Sequence, residues 1–152
     1  MAIAESETEV SVVSNWDRRF MDLALNVASW SKDPDCKVGV VIVTTDRRIV
    51  STGYNGFPIG VPDVYNEDKE FKNALTVHAE LNAILNNVTD ISGCTLYATK
   101  APCLECCKAI IQVKLLRVAV PYASESDSKW AESQGIGHRM LVGCGIKFDY
   151  IG

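Results

Sequence analysis

The sequence lacks any long apolar run, and no segment approaches the roughly 18 consecutive apolar residues that a membrane-spanning helix needs. Its amino-terminal stretch also lacks the basic start of a secretion signal, because the charged residues up to Glu9 are all acidic. Internal repeats and low-complexity segments are missing as well. A content of 47% hydrophobic and 22% charged residues is typical of a globular protein. We therefore expect a soluble, cytoplasmic protein.

Clusters of lysine and arginine are also missing. The chain has 15 basic and 19 acidic residues, which give a net charge of -4. Proteins that bind nucleic acids usually present a basic face, because phosphate contacts dominate their affinity. The composition disfavours a nucleic-acid partner and favours a small-molecule substrate.

The length of 152 residues suits one domain with a single buried core. Residues 1–15 lack periodicity and are predicted to form a mobile or partner-contacting tail, so the domain spans residues 16–152. Apolar spacing, β-branched runs and turn residues predict alternating helices and strands. The predicted helices are 16–30, 78–87, 102–113 and 126–141. The predicted strands are 38–44, 49–54, 95–99, 116–120 and 146–150.

This order of elements predicts an α/β protein, with a mixed five-stranded sheet and helices on both faces. The first two strands are expected to form a hairpin. Pro102 is expected at the first position of its helix, which proline favours. Gly135 and Gly137 leave the continuity of the last helix open. The segment from Asn55 to about residue 73 is predicted to be a loop.

Two short motifs contain the residues best suited to chemistry. Residues 78–80 read His-Ala-Glu, and residues 102–106 read Pro-Cys-Leu-Glu-Cys. His78, Cys103 and Cys106 supply three ligands for a catalytic zinc, which leaves a fourth position open for water. Glu80 is not needed as a ligand. The combination matches the H-x-E…P-C-x-x-C signature of zinc-dependent nucleobase deaminases.

The spacing also fits the chemistry of hydrolytic deamination. Zinc lowers the pKa of water from about 15.7 to about 7, which makes water a nucleophile at neutral pH. Glu80 follows His78 by two residues and is predicted to act as a proton shuttle beside that water. Both motifs are predicted to open helices, whose positive ends favour thiolate over thiol at Cys103 and Cys106.

Other roles for the cysteines remain open from sequence. Cys-x-x-Cys also occurs in redox pairs, and a structural zinc usually has four protein ligands, for which Cys107 is the nearest extra candidate. The alternative role for Cys107 is structural, since it lies next to a ligand on the same helix. The remaining three cysteines are most simply small buried apolar residues. They are Cys36, Cys94 and Cys144.

Several segments around the motifs resemble the deoxycytidylate (dCMP) deaminases of the cytidine/deoxycytidylate deaminase superfamily. The resemblance covers residues 16–150. Its segments are His-Ala-Glu-Leu-Asn-Ala-Ile at 78–84, Ser-Lys-Asp-Pro at 31–34, Lys-Val-Gly at 37–39 and Gly-Tyr-Asn-Gly-Phe-Pro at 53–58. It implies a three-layer α/β/α cytidine-deaminase-like fold and the hydrolysis of dCMP to dUMP and ammonia, which supplies thymidylate synthesis.

Four residues are predicted to contact the substrate. Asn55 matches a family position that contacts the nucleoside, although an Asn-Gly turn is the alternative reason for its presence. The N–H of Ala79, in the first turn of a helix, is a donor for the pyrimidine carbonyl. Lys32 and Ser31 are predicted to bind the 5′-phosphate, whereas a simple solvated lysine is the alternative for Lys32.

The resemblance also implies regulation and assembly. Family members are typically homohexamers that are activated by dCTP with Mg²⁺ and inhibited by dTTP. The loop containing Asn55, Gly56, Phe57 and Pro58 is the expected contributor to the effector site, although Phe57 alternatively packs at a subunit contact. Residues 61–77 contain neither cysteine nor histidine, so one zinc per chain is expected.

Three other functions remain possible from sequence. A deaminase acting on transfer RNA shares this fold and zinc chemistry, as does a deaminase of free nucleosides. The third is a non-catalytic, zinc-stabilised binding module. Such a module has no need of Glu80 beside the metal, so the intact His-x-Glu motif disfavours it.

Overall fold

The computed structural model describes residues 14–122 and 131–152. These residues form five α-helices, one 3-10 helix and five strands. The helices are α1 (Asn15–Ala28), α2 (Lys69–Leu75), α3 (Ala79–Leu85), α4 (Leu104–Gln112) and α5 (Ala131–Gly143), with the 3-10 helix at Asp63–Glu67. The strands are β1 (Gly39–Val43), β2 (Ile49–Tyr54), β3 (Thr95–Ala98), β4 (Arg117–Pro121) and β5 (Lys147–Ile151).

The five strands form one mixed sheet in the order β2-β1-β3-β4-β5. The hairpin partner β2 and the strand β3 both run antiparallel to β1. The remaining neighbours, β3 with β4 and β4 with β5, are parallel. This sheet confirms the predicted fold class.

Alternation along β1 explains why helices cover both faces of the sheet. Val41 and Val43 pack with the apolar side of α1 on one face. Val40 and Ile42 point to the opposite face, where they pack with residues of α3, α4 and α5. Successive side chains of a strand alternate between its faces, so a strand that is buried on both sides reads as a continuous apolar run.

The start of α1 follows from local sequence. The Ser14 hydroxyl accepts a hydrogen bond from the Asp17 N–H at 3.2 Å, and the Asp17 carboxylate accepts one from the Ser14 N–H at 3.1 Å. This reciprocal capping box fixes the first helical turn. Residues 1–13 of the predicted tail lie outside the described residues.

The segment between β2 and α3 corrects the sequence prediction. The expected loop contains the 3-10 helix and α2, which begins after the N-cap Asp68. The helix has only seven residues, fewer than the roughly 11–18 over which apolar periodicity becomes informative, and its buried side chain is that of Lys72.

Other corrections are smaller. Cys103 is the N-cap of α4, so Pro102 lies before the helix and not at its first position. Cys94 is buried as expected, but Cys36 is half-buried and Cys144 is exposed. Gly135 and Gly137 lie within a continuous α5, while residues 126–130 of that predicted helix lie outside the described residues. None of the described helices combines the length and the apolar character needed to cross a membrane.

Candidate active site

The imidazole of His78 lies beside the thiols of Cys103 and Cys106. Its Nδ1 atom is 3.4 Å from Cys103 Sγ and 3.5 Å from Cys106 Sγ, and the three ligand atoms lie within 4.8 Å of one another. Zinc bonds of about 2.0 Å to nitrogen and about 2.3 Å to sulfur place tetrahedral N and S ligands about 3.6 Å apart. The cluster therefore fits a zinc ion with three protein ligands.

Two helix starts bring this cluster together. His78 is the N-cap of α3, Cys103 is the N-cap of α4, and Cys106 lies in the first turn of α4. The positive ends of both helices point toward the site and favour negative charge on sulfur. A hydrogen bond from Cys106 lowers the pKa of Cys103, and the same hydrogen bond raises the pKa of Cys106. The hydrogen bond with Cys103 raises the pKa of His78.

Glu80 lies in the first turn of α3 and is only 5% exposed. Burial raises the pKa of its carboxyl group to about 7. A carboxyl group with a pKa near the working pH is suited to both taking up and releasing a proton. Glu80 therefore has the location and the ionisation behaviour of a general acid–base group.

A cavity of about 530 Å³ has His78 and Cys103 of this cluster in its wall. The wall includes His78, Ala79, Glu80 and Cys103 from the two motifs. It is completed by the loop after α1, by Asn55, by α2 and by Gln134 of α5. Its volume lies within the roughly 300–1,000 Å³ that small-molecule sites occupy. The catalytic candidates thus share one cavity with room for a small substrate.

Lys72 supplies a buried positive charge to this wall. Its ammonium group donates to Asp33 at 2.8 Å and to Asp35 at 2.7 Å, and the residue is 2% exposed. Burial opposes ionisation of Asp33, but the hydrogen bonds from Lys72 and from the N–H groups of Asp35 and Cys36 outweigh it and lower its pKa. The triad attaches α2 to the loop after α1.

Asn55 is buried and organises the cavity wall. Its Oδ1 accepts from the Val38 N–H at 2.9 Å, and its Nδ2 donates to the Cys36 carbonyl at 2.8 Å. The Asn55 carbonyl accepts the Ser31 hydroxyl at 2.8 Å. The structure thus places Asn55 in the cavity wall and commits its amide to the backbone, while Ser31 is buried behind it and does not line the cavity.

The other predicted contact residues surround a second, smaller cavity of about 150 Å³. Lys32, Gly56 and Phe57 line it together with Asn55. Lys32 is exposed and forms a 3.0 Å ion pair with Asp63. Lys32 therefore lies outside the wall of the larger cavity, and its predicted contact with a substrate phosphate stays a prediction.

The loop around this second cavity is tied to the first motif. Gly56 and Val77 exchange two backbone hydrogen bonds, at 3.1 Å and 2.8 Å, directly before His78. Pro58 is exposed, and it does not line either of the two cavities. The loop thus supports the position of His78, while its predicted effector role stays a prediction.

The family model of the cytidine and deoxycytidylate deaminase zinc-binding region matches residues 14–121. The chain belongs to this family. The match spans both motifs and confirms the resemblance that the sequence indicated.

Two curated relatives of this deaminase family show how far the similarity extends. An uncharacterized deaminase encoded in the luxG 3′ region of Aliivibrio fischeri is 40% identical over 142 residues, which are 92% of this chain and 96% of that protein. The deoxycytidylate deaminase of Homo sapiens is 41% identical over 111 residues, 68% of this chain. The matched part spans 62% of the human protein, less than two thirds of its length.

Solved structures support the deaminase fold. The dCMP deaminase of the cyanophage S-TIM5, crystallised with dCMP and dUMP, superposes with a TM-score of 0.75. That comparison covers 92% of this chain and 99% of the phage chain, at 22% identity. At this level of identity the likeness shows the fold, which agrees with the predicted cytidine-deaminase-like architecture.

Sequence reasoning missed several polar residues of the deaminase cavity, among them two lysines of α2, Lys100 and Gln134. Lys69 and Lys72 lie on α2, which the sequence did not reveal as a helix. Lys100 precedes the second motif by two positions, and Gln134 comes from α5. Its position next to the second motif could have identified Lys100 from the sequence. No local signal connects Gln134 to the cysteines.

Proposed function

We propose that this protein hydrolyses dCMP to dUMP and ammonia. The observation that carries the proposal is the cluster of His78, Cys103 and Cys106, of which His78 and Cys103 line one cavity together with the buried Glu80. The choice of dCMP is supported by relatives named deoxycytidylate deaminases and by the bound dCMP and dUMP of the phage structure. The product dUMP is a precursor for thymidylate synthesis.

His78, Cys103 and Cys106 would hold one zinc ion per chain. Zinc bound there supplies a Lewis acid that lowers the pKa of water and leaves one ligand position open. The borderline-soft imidazole and thiolate donors are those that zinc prefers. This assignment is supported by the distances within the cluster and by the description of the family as zinc-binding.

Glu80 moves the protons of the reaction. Its carboxylate takes one proton from the attacking water as the water oxygen bonds to C4 of the cytosine ring. It then delivers this proton to ring nitrogen N3. The carboxylate next takes the remaining proton from the new C4 hydroxyl and passes it to the amino group, so that the C4–N bond breaks as the C4–O double bond forms. Ammonia leaves, and the ring retains the oxygen of water as the new carbonyl. The burial of Glu80, which raises its pKa to about 7, supports both directions of transfer.

Substrate orientation is assigned to groups in the cavity wall. Ala79 is the first residue of α3, where a backbone N–H lacks an intrahelical partner, and this supports its contact with the pyrimidine carbonyl. Lys69 and Lys100 line the same cavity and support an anionic substrate. A 5′-phosphate contact by Ser31 and Lys32 is supported by their sequence alone, because neither lines this cavity.

Regulation and assembly form a second part of the proposal. The smaller cavity beside Asn55, Gly56 and Phe57 supports an effector site for dCTP with Mg²⁺ or for dTTP, to which the adjacent Pro58 belongs by the family resemblance. That resemblance alone supports a homohexamer, whereas a cytoplasmic location is proposed from the globular composition of the chain. The tail at residues 1–15 and the single deaminase domain at 16–152 are likewise part of this proposal.

Ammonia release from the purified, zinc-loaded protein tests the substrate. The substrates compared are dCMP, deoxycytidine, cytidine, dCTP and a single-stranded oligonucleotide, each with and without dCTP–Mg²⁺ or dTTP. We expect kcat/KM for dCMP to exceed that for deoxycytidine about tenfold to a hundredfold, because charge-assisted hydrogen bonds to the phosphate contribute about 1.5–3 kcal/mol. Stimulation by dCTP and suppression by dTTP are expected for the effector site.

A preference for deoxycytidine, cytidine or the oligonucleotide would contradict the assignment to dCMP. Preferential turnover of dCMP without any response to the two triphosphates would leave the reaction intact and contradict the effector site.

A further inference from the structure

The last helix, α5, contacts the protein backbone on both sides of Cys103. This helix begins at Ala131, beyond residues 14–121 that the family model matches. Its neighbouring residues Ser133 and Gln134 hydrogen-bond to Leu104 and Ala101, respectively. Two residues from a distant helix thus hold the segment that contains the metal-ligand candidate.

Gln134 holds the chain before the motif. Its side-chain Nε2 donates to the Ala101 carbonyl at 3.1 Å, and the residue is 8% exposed. Its other amide atom, Oε1, is buried and has no hydrogen-bond partner among the described residues. A buried amide with an unsatisfied oxygen costs free energy, so apolar packing alone does not account for a glutamine at this position.

Ser133 holds the residue that directly follows Cys103 within the motif. Its hydroxyl oxygen accepts the N–H of Leu104, the first residue of α4, at 2.8 Å. As the first helical residue, Leu104 has an N–H without an intrahelical partner, and its N-cap Cys103 makes no capping hydrogen bond with the described residues. Ser133 therefore satisfies this N–H, while the Cys103 sulfur lies 3.4 Å from His78 Nδ1.

Close packing fixes the distance between α5 and α4. A Cβ atom added at Gly137 would lie 2.6 Å from Cys107 Sγ, too close for any real contact. The Cys107 thiol in turn donates to the Pro102 carbonyl at 3.8 Å. The glycine allows α5 to approach until both Ser133 and Gln134 reach the segment around Cys103.

We propose that Ser133 and Gln134 are positioning residues that hold Cys103 in the geometry required for metal binding. The inference rests on the proposed function insofar as that function assigns the metal to Cys103. Groups that orient metal ligands from outside the ligand set typically contribute a factor of about 10–100 to metal affinity. Loss of either contact therefore loosens the metal and leaves the ligand set itself unchanged.

The test compares zinc release by the purified full-length protein and its variants. Ser133→Ala removes the acceptor for Leu104, and Gln134→Leu removes the donor to Ala101. Ser133→Thr retains the hydroxyl oxygen and is the conservative control, while Arg139→Ala changes an exposed residue of the same helix. The rate of zinc transfer to a chromogenic chelator is measured without any substrate. Circular dichroism and denaturant unfolding check that each variant is folded.

We expect Ser133→Ala and Gln134→Leu to release zinc about 10–100 times faster than the wild type. The two control variants should release it at the wild-type rate. The absorption of the Co²⁺-substituted protein should change in the same two variants, because it reports the arrangement of the sulfur ligands. If both variants lose stability but keep the wild-type release rate and Co²⁺ spectrum, the two residues are merely structural and the inference is wrong.

Gly137→Ala provides a variant that alters neither polar contact directly. It forces α5 away from Cys107, so zinc release should accelerate here as well, and an unchanged release rate in the folded variant would contradict the inference. Since no nucleotide is present, the outcome is separate from the proposed reaction. A protein that binds zinc through Cys103 but does not deaminate dCMP would refute the proposed function and leave this inference standing.

Discussion

Lys72 is a charged residue that the protein interior encloses almost completely. Its ammonium lies between Asp33 and Asp35, and the pKa of Lys72 is raised although burial acts to lower it, because the two carboxylates outweigh burial. The pKa of Asp33 is lowered in turn. Lys72 and Asp33 are therefore both charged at neutral pH, and each charge depends on the other.

Replacing Lys72 by methionine should destabilise the protein by roughly 3 kcal/mol, since breaking a buried ion pair leaves an uncompensated charge. The free energy of unfolding is measured by denaturant titration at pH 7 and at acidic pH. The lowered pKa of Asp33 means that its contribution is present above the ordinary carboxyl pKa and is lost as the pH falls. The difference between the wild type and Lys72→Met should therefore shrink in acid.

The matched control for this prediction is Lys32→Met. The ion pair of Lys32 with Asp63 is exposed, and such pairs contribute little to stability, so no measurable change is expected. Equal stability of Lys72→Met and the wild type at neutral pH would show that the buried triad does not support the fold.

At the scale of elements, the position of the first motif depends on contact between α3 and β2. A Cβ atom at Gly53 would lie 2.4 Å from the backbone nitrogen of Ala83 and 2.5 Å from the carbonyl oxygen of Ala79. These atoms belong to the backbone of α3 and cannot rotate away. Gly53 therefore sets how closely the helix that carries Glu80 approaches the sheet.

Gly53→Ala should cost about 1–3 kcal/mol of stability, because an extra methyl group forces a backbone shift. It should also weaken zinc binding, since α3 carries the motif. The control is Gly135→Ala on α5, where an added Cβ meets no atom within 4 Å and where alanine should stabilise the helix by about 0.5–1 kcal/mol. Thermal unfolding and zinc content are measured for both. Wild-type values for Gly53→Ala would contradict the close approach.

These elements also show what the sequence can and cannot predict. Apolar spacing predicted α1, and the β-branched run predicted β1, because burial of apolar side chains leaves a periodic pattern. The helix α2 has only seven residues and buries Lys72, so periodicity could not reveal it. The motif spacing predicted the metal ligands because each motif lies at one helix start, whereas Ser133 and Gln134 reach the site only through tertiary packing.

At the scale of the whole molecule, a buried polar network joins the layer of α1 to the sheet. Arg117 on β4 pairs with Asp17 of α1 at 2.8 Å and with Asp149 of β5 at 2.6 Å. The Tyr97 hydroxyl of β3 also donates to Asp17 at 2.6 Å. Three strands and a helix are thus fixed together on the face of the sheet opposite α3 and α4.

The cavity lies on the opposite face of the sheet. Its wall draws on the loop after α1, on α2, on both motif helices and on α5, so residues from 33 to 134 meet around one site. A rigid sheet between the two helical layers holds these segments in register. Within this shared site, Glu80 is the residue on which the proposed reaction depends.

The most direct test of the account is ammonia release from dCMP by the Glu80→Gln variant, with zinc content measured on the same sample. Glutamine keeps the size of the side chain but cannot shuttle a proton. We expect the variant to keep the wild-type zinc content and its turnover of dCMP to fall about 10²–10⁴-fold. A Glu80→Gln protein that retains both zinc and full turnover would contradict the proposed role of Glu80 as the proton shuttle.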